Sequence, residues 1–174
     1  MNLVLIGYRG TGKSAVGRIV AKRLGLRYVS MDAAIIEKAR MTVPQIVQAL
    51  GWPGFRDLES EQARILATQD NLVIDTGGGL IERPENIAVL KATALIVWLK
   101  ASVEVIVARI QTDSQRPALT PGKTFTEEIA EVLAQRLERY RAAAQFEIDT
   151  DRLAVAQVAD RVADIWRLHR GDSE

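Results

Sequence analysis

The chain of 174 residues contains no cysteine, which excludes disulfides, thiolate metal sites and a cysteine nucleophile, and fits a reducing compartment. Nor does any apolar run approach the length of a membrane span. The chain opens on a strand-like run and not on a signal peptide, so a cytoplasmic protein is expected. Charge of one sign is not in excess: 23 basic and 22 acidic residues leave a formal net charge of +1, which argues against a strongly cationic nucleic-acid binder. The single histidine, His169, falls near the end of the last helical pattern and reads as a solvated residue favoured by the helix dipole. No internal repeat or low-complexity tract is visible. What remains is a chain with 48% hydrophobic residues, long enough for a single domain with a substantial core. It is expected to be a monomer with a small-molecule partner, without nucleic acid or membrane.

The most informative stretch is Gly7-Tyr8-Arg9-Gly10-Thr11-Gly12-Lys13-Ser14, a complete GxxxxGK[ST] phosphate-binding loop placed after the apolar run Leu3 to Ile6. Its glycines let backbone N–H groups converge on phosphate oxygens, Lys13 reaches the β- and γ-phosphates, and the Ser14 hydroxyl suits magnesium. Ala15 to Leu24 continues as a helix with Val16, Ile19, Val20 and Leu24 at helical spacing, so a helix N-terminus points at the same phosphates. Gly10, Thr11, Gly12, Lys13, Ser14 and Ala15 are therefore the expected nucleotide cradle, with a nucleoside triphosphate and magnesium as the expected ligands.

Strand-like runs recur at Leu3 to Ile6, Leu26 to Ser30, Leu72 to Asp75, Leu95 to Leu99 and, more weakly, Phe146 to Thr150, with amphipathic helical patterns between them. This alternation predicts an α/β fold with a parallel sheet covered on both faces, and function at the carboxyl ends of its strands. Gly25 and Gly51 follow helical stretches, Pro84 opens one, and Ser102 and Thr126 are expected N-caps. One long break, Asp113 to Thr124, contains Pro117, Pro121 and Gly122. In a phosphoryl-transfer enzyme such a loop is a candidate lid.

Several residues outside the loop are candidates for chemistry, each with a plainer alternative. Asp75 ends the third strand, where an acid reaches magnesium through the loop serine or a water, although a turn aspartate would stand there too. Gly77-Gly78-Gly79 exposes backbone amides to a second ligand, or forms a flexible turn. Asp32 either caps a helix spanning Ala33 to Arg40 or orients and deprotonates an accepting hydroxyl. Arg136 has Val132, Leu133, Arg139 and Tyr140 three and four residues away, so it lacks an acidic helix neighbour and is expected to serve an external group. Arg56 has Glu59 at i+3, which makes a solvated helix pair or a buttressed carboxylate binder. Arg116 in the expected lid closes over a transferring phosphoryl group, or is an arbitrary loop residue. Arg109 stacks on adenine or lies on the surface. Trp98 and Trp166 read as core, and Trp52 borders an acceptor pocket or packs a turn.

Taken together, these residues resemble the shikimate kinase family. The match runs nearly the whole length, from the Gly7 to Ser14 loop through Asp32, Phe55-Arg56, Gly77-Gly78-Gly79, Arg116-Pro117 and Arg136 to Ile148-Asp149-Thr150. The resemblance implies a three-layer αβα fold with a five-stranded parallel sheet in the order 2-3-1-4-5. It also implies transfer of the ATP γ-phosphate to the 3-hydroxyl of shikimate, a step of aromatic amino acid and chorismate biosynthesis. By the same resemblance, Asp32 orients the acceptor hydroxyls, Arg56 and Arg136 clamp the shikimate carboxylate, and Gly77, Gly78 and Gly79 line its pocket with Phe55. Glu59 supports the clamp, Arg116 is the lid arginine and Arg109 stacks on adenine.

Four departures from the family pattern matter. Ser30 stands where a second aspartate is common, and Asp75 stands where the family usually has a small or uncharged residue. Asp75 is therefore expected to supply, through water, the metal-shell carboxylate that Ser30 cannot. Glu138 replaces a frequent proline, which lets the helix run on through Tyr140. Gly51-Trp52 replaces a frequent Gly-Glu. The rival readings are a kinase for another small hydroxy acid such as gluconate, and a nucleotide-binding regulatory module without transfer.

Overall fold

The computed structural model describes residues 1–110 and 124–171. Five short strands, β1 (Asn2–Ile6), β2 (Arg27–Ser30), β3 (Leu72–Asp75), β4 (Ala94–Lys100) and β5 (Phe146–Asp149), form one parallel sheet in the order β2-β3-β1-β4-β5. Helices α1 (Lys13–Leu24), α2 (Met31–Ala39), α3 (Val43–Ala67), α4 (Pro84–Lys91), α5 (Val103–Ile110), α6 (Phe125–Ala143) and α7 (Val155–Arg170) surround it. The expected lid, 113–124, lies outside the described residues except for Thr124, and Arg116 lies outside them entirely.

Successive strand residues point to opposite faces, and the central strands are apolar in both registers because both faces are covered. Val4, Ile6, Ile74, Ile96 and Trp98 pack with Met31, Leu66, Leu90 and Tyr140 on one side. Leu3, Leu5, Val73, Val97 and Leu99 pack with Val16, Val20, Val162 and Trp166 on the other. At the floor of the sheet, Asn2 Nδ2 donates to Gln69 O at 2.7 Å and its Oδ1 accepts from Leu72 N at 3.0 Å, tying β1 to the end of α3 and the start of β3.

Two punctuation expectations need correction. Ser30 caps α2, its Oγ accepting from Ala33 N, so Asp32 sits inside the first turn and is not the cap. Thr124 caps α6 in a reciprocal box with Glu127, two residues before the expected Thr126. Gly51 follows a helical stretch as expected: at φ 69°, ψ 175° its backbone is non-helical and kinks α3 ahead of Pro53. A separate small core spans that kink, formed by Ile35, Val43 and Ile46 before it and Phe55 after it. The αL cap at Gly25, Pro84 at the start of α4, and the continuation of α6 through Tyr140 all agree with the sequence.

Candidate active site

The loop between β1 and α1 is shaped by backbone that only glycine adopts easily. Gly7 has φ 145°, and a Cβ there would lie 2.3 Å from Leu99 O; Gly10 and Gly12 have φ 81° and 93°, in the region that disfavours side chains. Thr11 Oγ1 donates to Tyr8 O at 2.8 Å, and Lys13 Nζ donates to Gly7 O and Tyr8 O at 2.8 and 3.0 Å. The ammonium is thereby held inside the curl of the loop, at the N-terminus of α1, where backbone donors and cation favour an anion together. Arg109 on α5 donates to Gly10 O at 3.1 Å and to Thr150 Oγ1 and O at 3.1 and 3.0 Å, which fixes its guanidinium plane between the loop and the end of β5. A cavity of about 470 Å³ opens here, lined by Gly10, Gly12, Lys13, Ser14, Ala15, Ser30, Asp32, Asp75, Gly78 and Arg109 among others.

Asp75 ends β3 as expected, beside Ser30 on β2 in the sheet register. Its Oδ2 accepts from Ser14 Oγ at 2.5 Å and from Tyr28 Oη at 2.8 Å. Burial, then the Asp75 charge, pushes the Tyr28 hydroxyl up to about 12, so Tyr28 stays a donor and keeps the carboxylate oriented. A hydroxyl and a carboxylate at the phosphate end of the cradle are hard oxygen donors suited to magnesium with its water shell. Among the described residues there is no cluster of three or more His, Cys, Asp and Glu side chains able to cage a metal.

A second group of charges lies at the other end of the glycine run. Arg56 on α3 donates from Nη1 to Glu59 Oε2 at 2.5 Å and from Nε to Glu82 Oε2 at 3.1 Å. Arg136 on α6 donates from Nε to Glu82 Oε1 at 2.9 Å and also from Nη2 to that oxygen. The two guanidiniums therefore converge, and both are nearly buried, with side chains 10% and 7% exposed. Trp52 lies edge-on to Phe55 and within 5.4 Å of the Arg56 guanidinium. Trp52, Arg56, Glu82 and Arg136, with Arg83, Gln135 and Arg139, border a cavity of about 750 Å³. Phe55 does not line it; its ring is buried in the small core that spans the kink and backs Arg56.

Gly77 to Gly79 connects the two ends. A Cβ on Gly77 would lie 2.3 Å from Glu59 Oε1 and 3.2 Å from Asp32 Oδ1, one on Gly78 3.4 Å from Gly7 O, and one on Gly79 2.0 Å from Arg56 Nη2. Space is therefore tight at the first and third positions, against a carboxylate and a guanidinium, whereas the middle glycine meets the phosphate loop at ordinary contact distance. Glu59 is fully buried, and its Oε1 has no hydrogen-bond partner among the described residues. Burial pushes its carboxyl up, against the opposing pull of Arg56.

Two expectations change at this end. Arg136 has no acidic neighbour on its own helix but does not stand unpaired, because Glu82 reaches it from the 3-10 turn Leu80–Glu82. The Arg56–Glu59 pair forms, but buried and not solvated. Glu82, Tyr28 and Tyr140 were not visible as site residues in the sequence. Tyr140 stacks on Trp98 with centroids 5.6 Å apart and donates to Gly78 O at 2.5 Å, fixing the middle of the glycine run. Every one of these partners is distant in sequence, so no local pattern announces them.

A parallel αβα sheet whose first strand feeds a glycine-rich loop and a helix N-terminus defines a P-loop nucleotide-binding protein. The sequence matches the family model "Shikimate kinase" over residues 9–166. It is 39% identical over 169 residues to shikimate kinase of Geobacter sulfurreducens, covering 97% of this chain and 92% of that one. It is 40% identical over 167 residues to that of Nitratidesulfovibrio vulgaris, covering 94% and 93%. The structure of shikimate kinase from Acinetobacter baumannii in complex with shikimate superposes with a TM-score of 0.90 at 31% identity, over 99% of this chain and 94% of that one. The chain belongs to the shikimate kinase family.

Proposed function

We propose that the chain is an ATP- and magnesium-dependent shikimate kinase that moves the γ-phosphoryl group of ATP to the 3-hydroxyl of shikimate, giving shikimate 3-phosphate and ADP. The observation that carries this reading is the glycine run, whose middle residue borders the phosphate loop while the next borders Arg56. A phosphate-gripping end and a carboxylate-gripping end thus face one another across three residues without side chains. Shikimate has an acid at one end and an alcohol at the other, which suits that span.

Phosphoryl transfer asks little covalent chemistry of the protein, and rate comes mostly from positioning and charge stabilisation. Arg56 and Arg136 hold the acid by charge-assisted, in-plane hydrogen bonds. Asp32, beside Gly77, orients the acceptor hydroxyl and receives its proton as the new P–O bond forms and the bond to ADP breaks. Lys13 and the loop amides hold phosphate oxygens, and Arg109 presents a fixed plane to the adenine. Ser14 and Asp75 would hold magnesium, directly and through water, and the ion when bound offsets phosphate charge. Arg116, outside the described residues, is assigned by family pattern to the closing lid. A monomer in the cytoplasm belongs to the same reading; no helix among the described residues is long and apolar enough to cross a membrane.

A coupled assay of ADP release with shikimate, gluconate and related hydroxy acids tests the proposal. Turnover with shikimate and a phosphorylated product by phosphorus NMR are expected. Preference for gluconate would reassign the acceptor, and ATP binding without transfer to any acceptor would favour a regulatory module.

A further inference from the structure

Glu82 is placed where an acceptor's acid should go. Its Oε2 accepts from Arg56 Nε at 3.1 Å and its Oε1 from Arg136 Nε at 2.9 Å and Nη2. One carboxylate therefore bridges both guanidiniums, each oxygen serving a different arginine. That is the arrangement assigned above to the shikimate carboxylate. The side chain hangs from the last residue of a single 3-10 turn and is 32% exposed, unlike Glu59, which is fully buried and keeps its own bond to Arg56. Glu82 can therefore rotate into solvent without leaving a charge in the core, whereas Glu59 cannot.

We propose that Glu82 is a specificity-determining competitor: a carboxylate of the chain itself that occupies the acid-binding seat between Arg56 and Arg136 and must be displaced by the acceptor. The inference rests on the acceptor reading above and adds a selection rule to it. An incoming carboxylate exchanges one pair of charge-assisted contacts for another, so the acid group contributes little net affinity by itself. Binding then depends on what else the ligand brings, namely hydroxyls that reach Asp32 and the Gly77 to Gly79 run. Simple carboxylates lacking those hydroxyls lose the competition, and the two arginines do not become a general anion trap. Meanwhile they stay paired, which avoids leaving two nearly buried like charges facing each other.

Glu82→Gln keeps the size and a hydrogen-bond acceptor but removes the charge. Measured by titration calorimetry and by steady-state kinetics, the variant should bind shikimate roughly tenfold more tightly, a factor equivalent to about 1.4 kcal/mol. The gain should fall in KM without a proportional rise in kcat, and acetate should become a measurable competitive inhibitor. Shikimate methyl ester, which has no anionic group to seat, should gain far less from the substitution. Glu82→Ala repeats the comparison without the amide, and thermal unfolding should show a larger shikimate-induced rise in Tm for either variant than for the wild type, whatever the starting Tm. A shikimate Kd that is unchanged or weaker in both variants overturns the inference, since Glu82 would then be neutral or would hold the arginines in place. An equal gain for acid and ester overturns it too, pointing to a wider pocket. If the wild type neither binds nor phosphorylates shikimate, the acceptor reading itself fails and this inference with it. Turnover by the wild type without tightening in the variants overturns the inference alone.

Discussion

Ser14 Oγ donates to Asp75 Oδ2 at 2.5 Å, joining the first turn of α1 to the last residue of β3. The pair sits one strand away from Ser30, where the family commonly carries an acid, and the register makes Ser30 and Asp75 direct neighbours. A carboxylate moved across one strand still faces the same end of the cradle.

From this follows a metal prediction. In Asp75→Asn the magnesium concentration for half-maximal activity should rise about tenfold, the lower end of what loss of a supporting carboxylate does to metal sites. Magnesium-dependent binding of ADP, followed by calorimetry, should weaken in parallel. An unchanged metal dependence in both measurements would exclude the transfer of this role from position 30 to position 75.

Where the seat is uncontested, in the Glu82→Gln background, Arg136→Ala should raise the shikimate KM by roughly ten- to hundredfold, since hydrogen bonds to charged groups contribute about 1.5–3 kcal/mol. In the wild type the rise should be smaller, because Glu82 loses the same contact as the acid. The ATP KM should change by no more than about twofold, because Lys13 and the loop amides bind the nucleotide elsewhere. Equal loss toward both substrates would contradict the assignment.

The sheet and the phosphate loop were legible because they rest on local patterns. Leu3 to Ile6 is apolar in both registers and is followed at once by the loop, and Asp75 declares itself as an acid ending an apolar strand. Helix starts were harder. Ser30 and Asp32, like Thr124 and Thr126, are pairs of capping residue types two positions apart, and only the backbone decides which turns first. The Arg56–Glu59 pair could be read from i,i+3 spacing, but its burial could not. Glu82 was not legible at all, since its two partners lie 26 and 54 residues away and meet only once α3, α6 and the 3-10 turn are packed together.

Gly79→Ala should test whether the position of Arg56 matters. The added methyl carbon would fall 2.0–2.3 Å from the guanidinium atoms, which sit at the end of a flexible side chain and would move away. Backbone strain is not at issue, since Gly79 has φ −97°. The variant should fold with a stability loss of about 1–3 kcal/mol, typical of disturbing a buried polar pair, read by urea denaturation. Its shikimate KM should rise more than its ATP KM; an unaltered acceptor KM would mean that Arg56 does not grip the acid from this place.

Glu59 makes a pH prediction with a definite sign. Its carboxyl is raised above the ordinary 4.5 by burial, so in the interval between that value and the folded one the native state binds more protons than the unfolded state. Stability from this residue is then present below the ordinary carboxylate range and is lost as pH rises through the folded value. The difference in unfolding free energy between the wild type and Glu59→Gln, measured in urea from pH 4 to 8, should shift against the wild type as pH rises and then level off. A shift in the wild type's favour would show that Arg56 outweighs desolvation.

The kink at Gly51 divides α3 into two parts that the small core bridges. Downstream, Ala63 and Leu66 belong to the sheet's core and the helix end is tied down by Asn2, while Phe55 reaches into the small core that upstream Val43 and Ile46 share with Ile35. Arg56 and Glu59 ride on the tethered part. The guanidinium next to Phe55 is thereby registered to both cores at once, so a volume change at Val43 or Ile46 would be felt at the acid's anchor although neither residue borders that cavity.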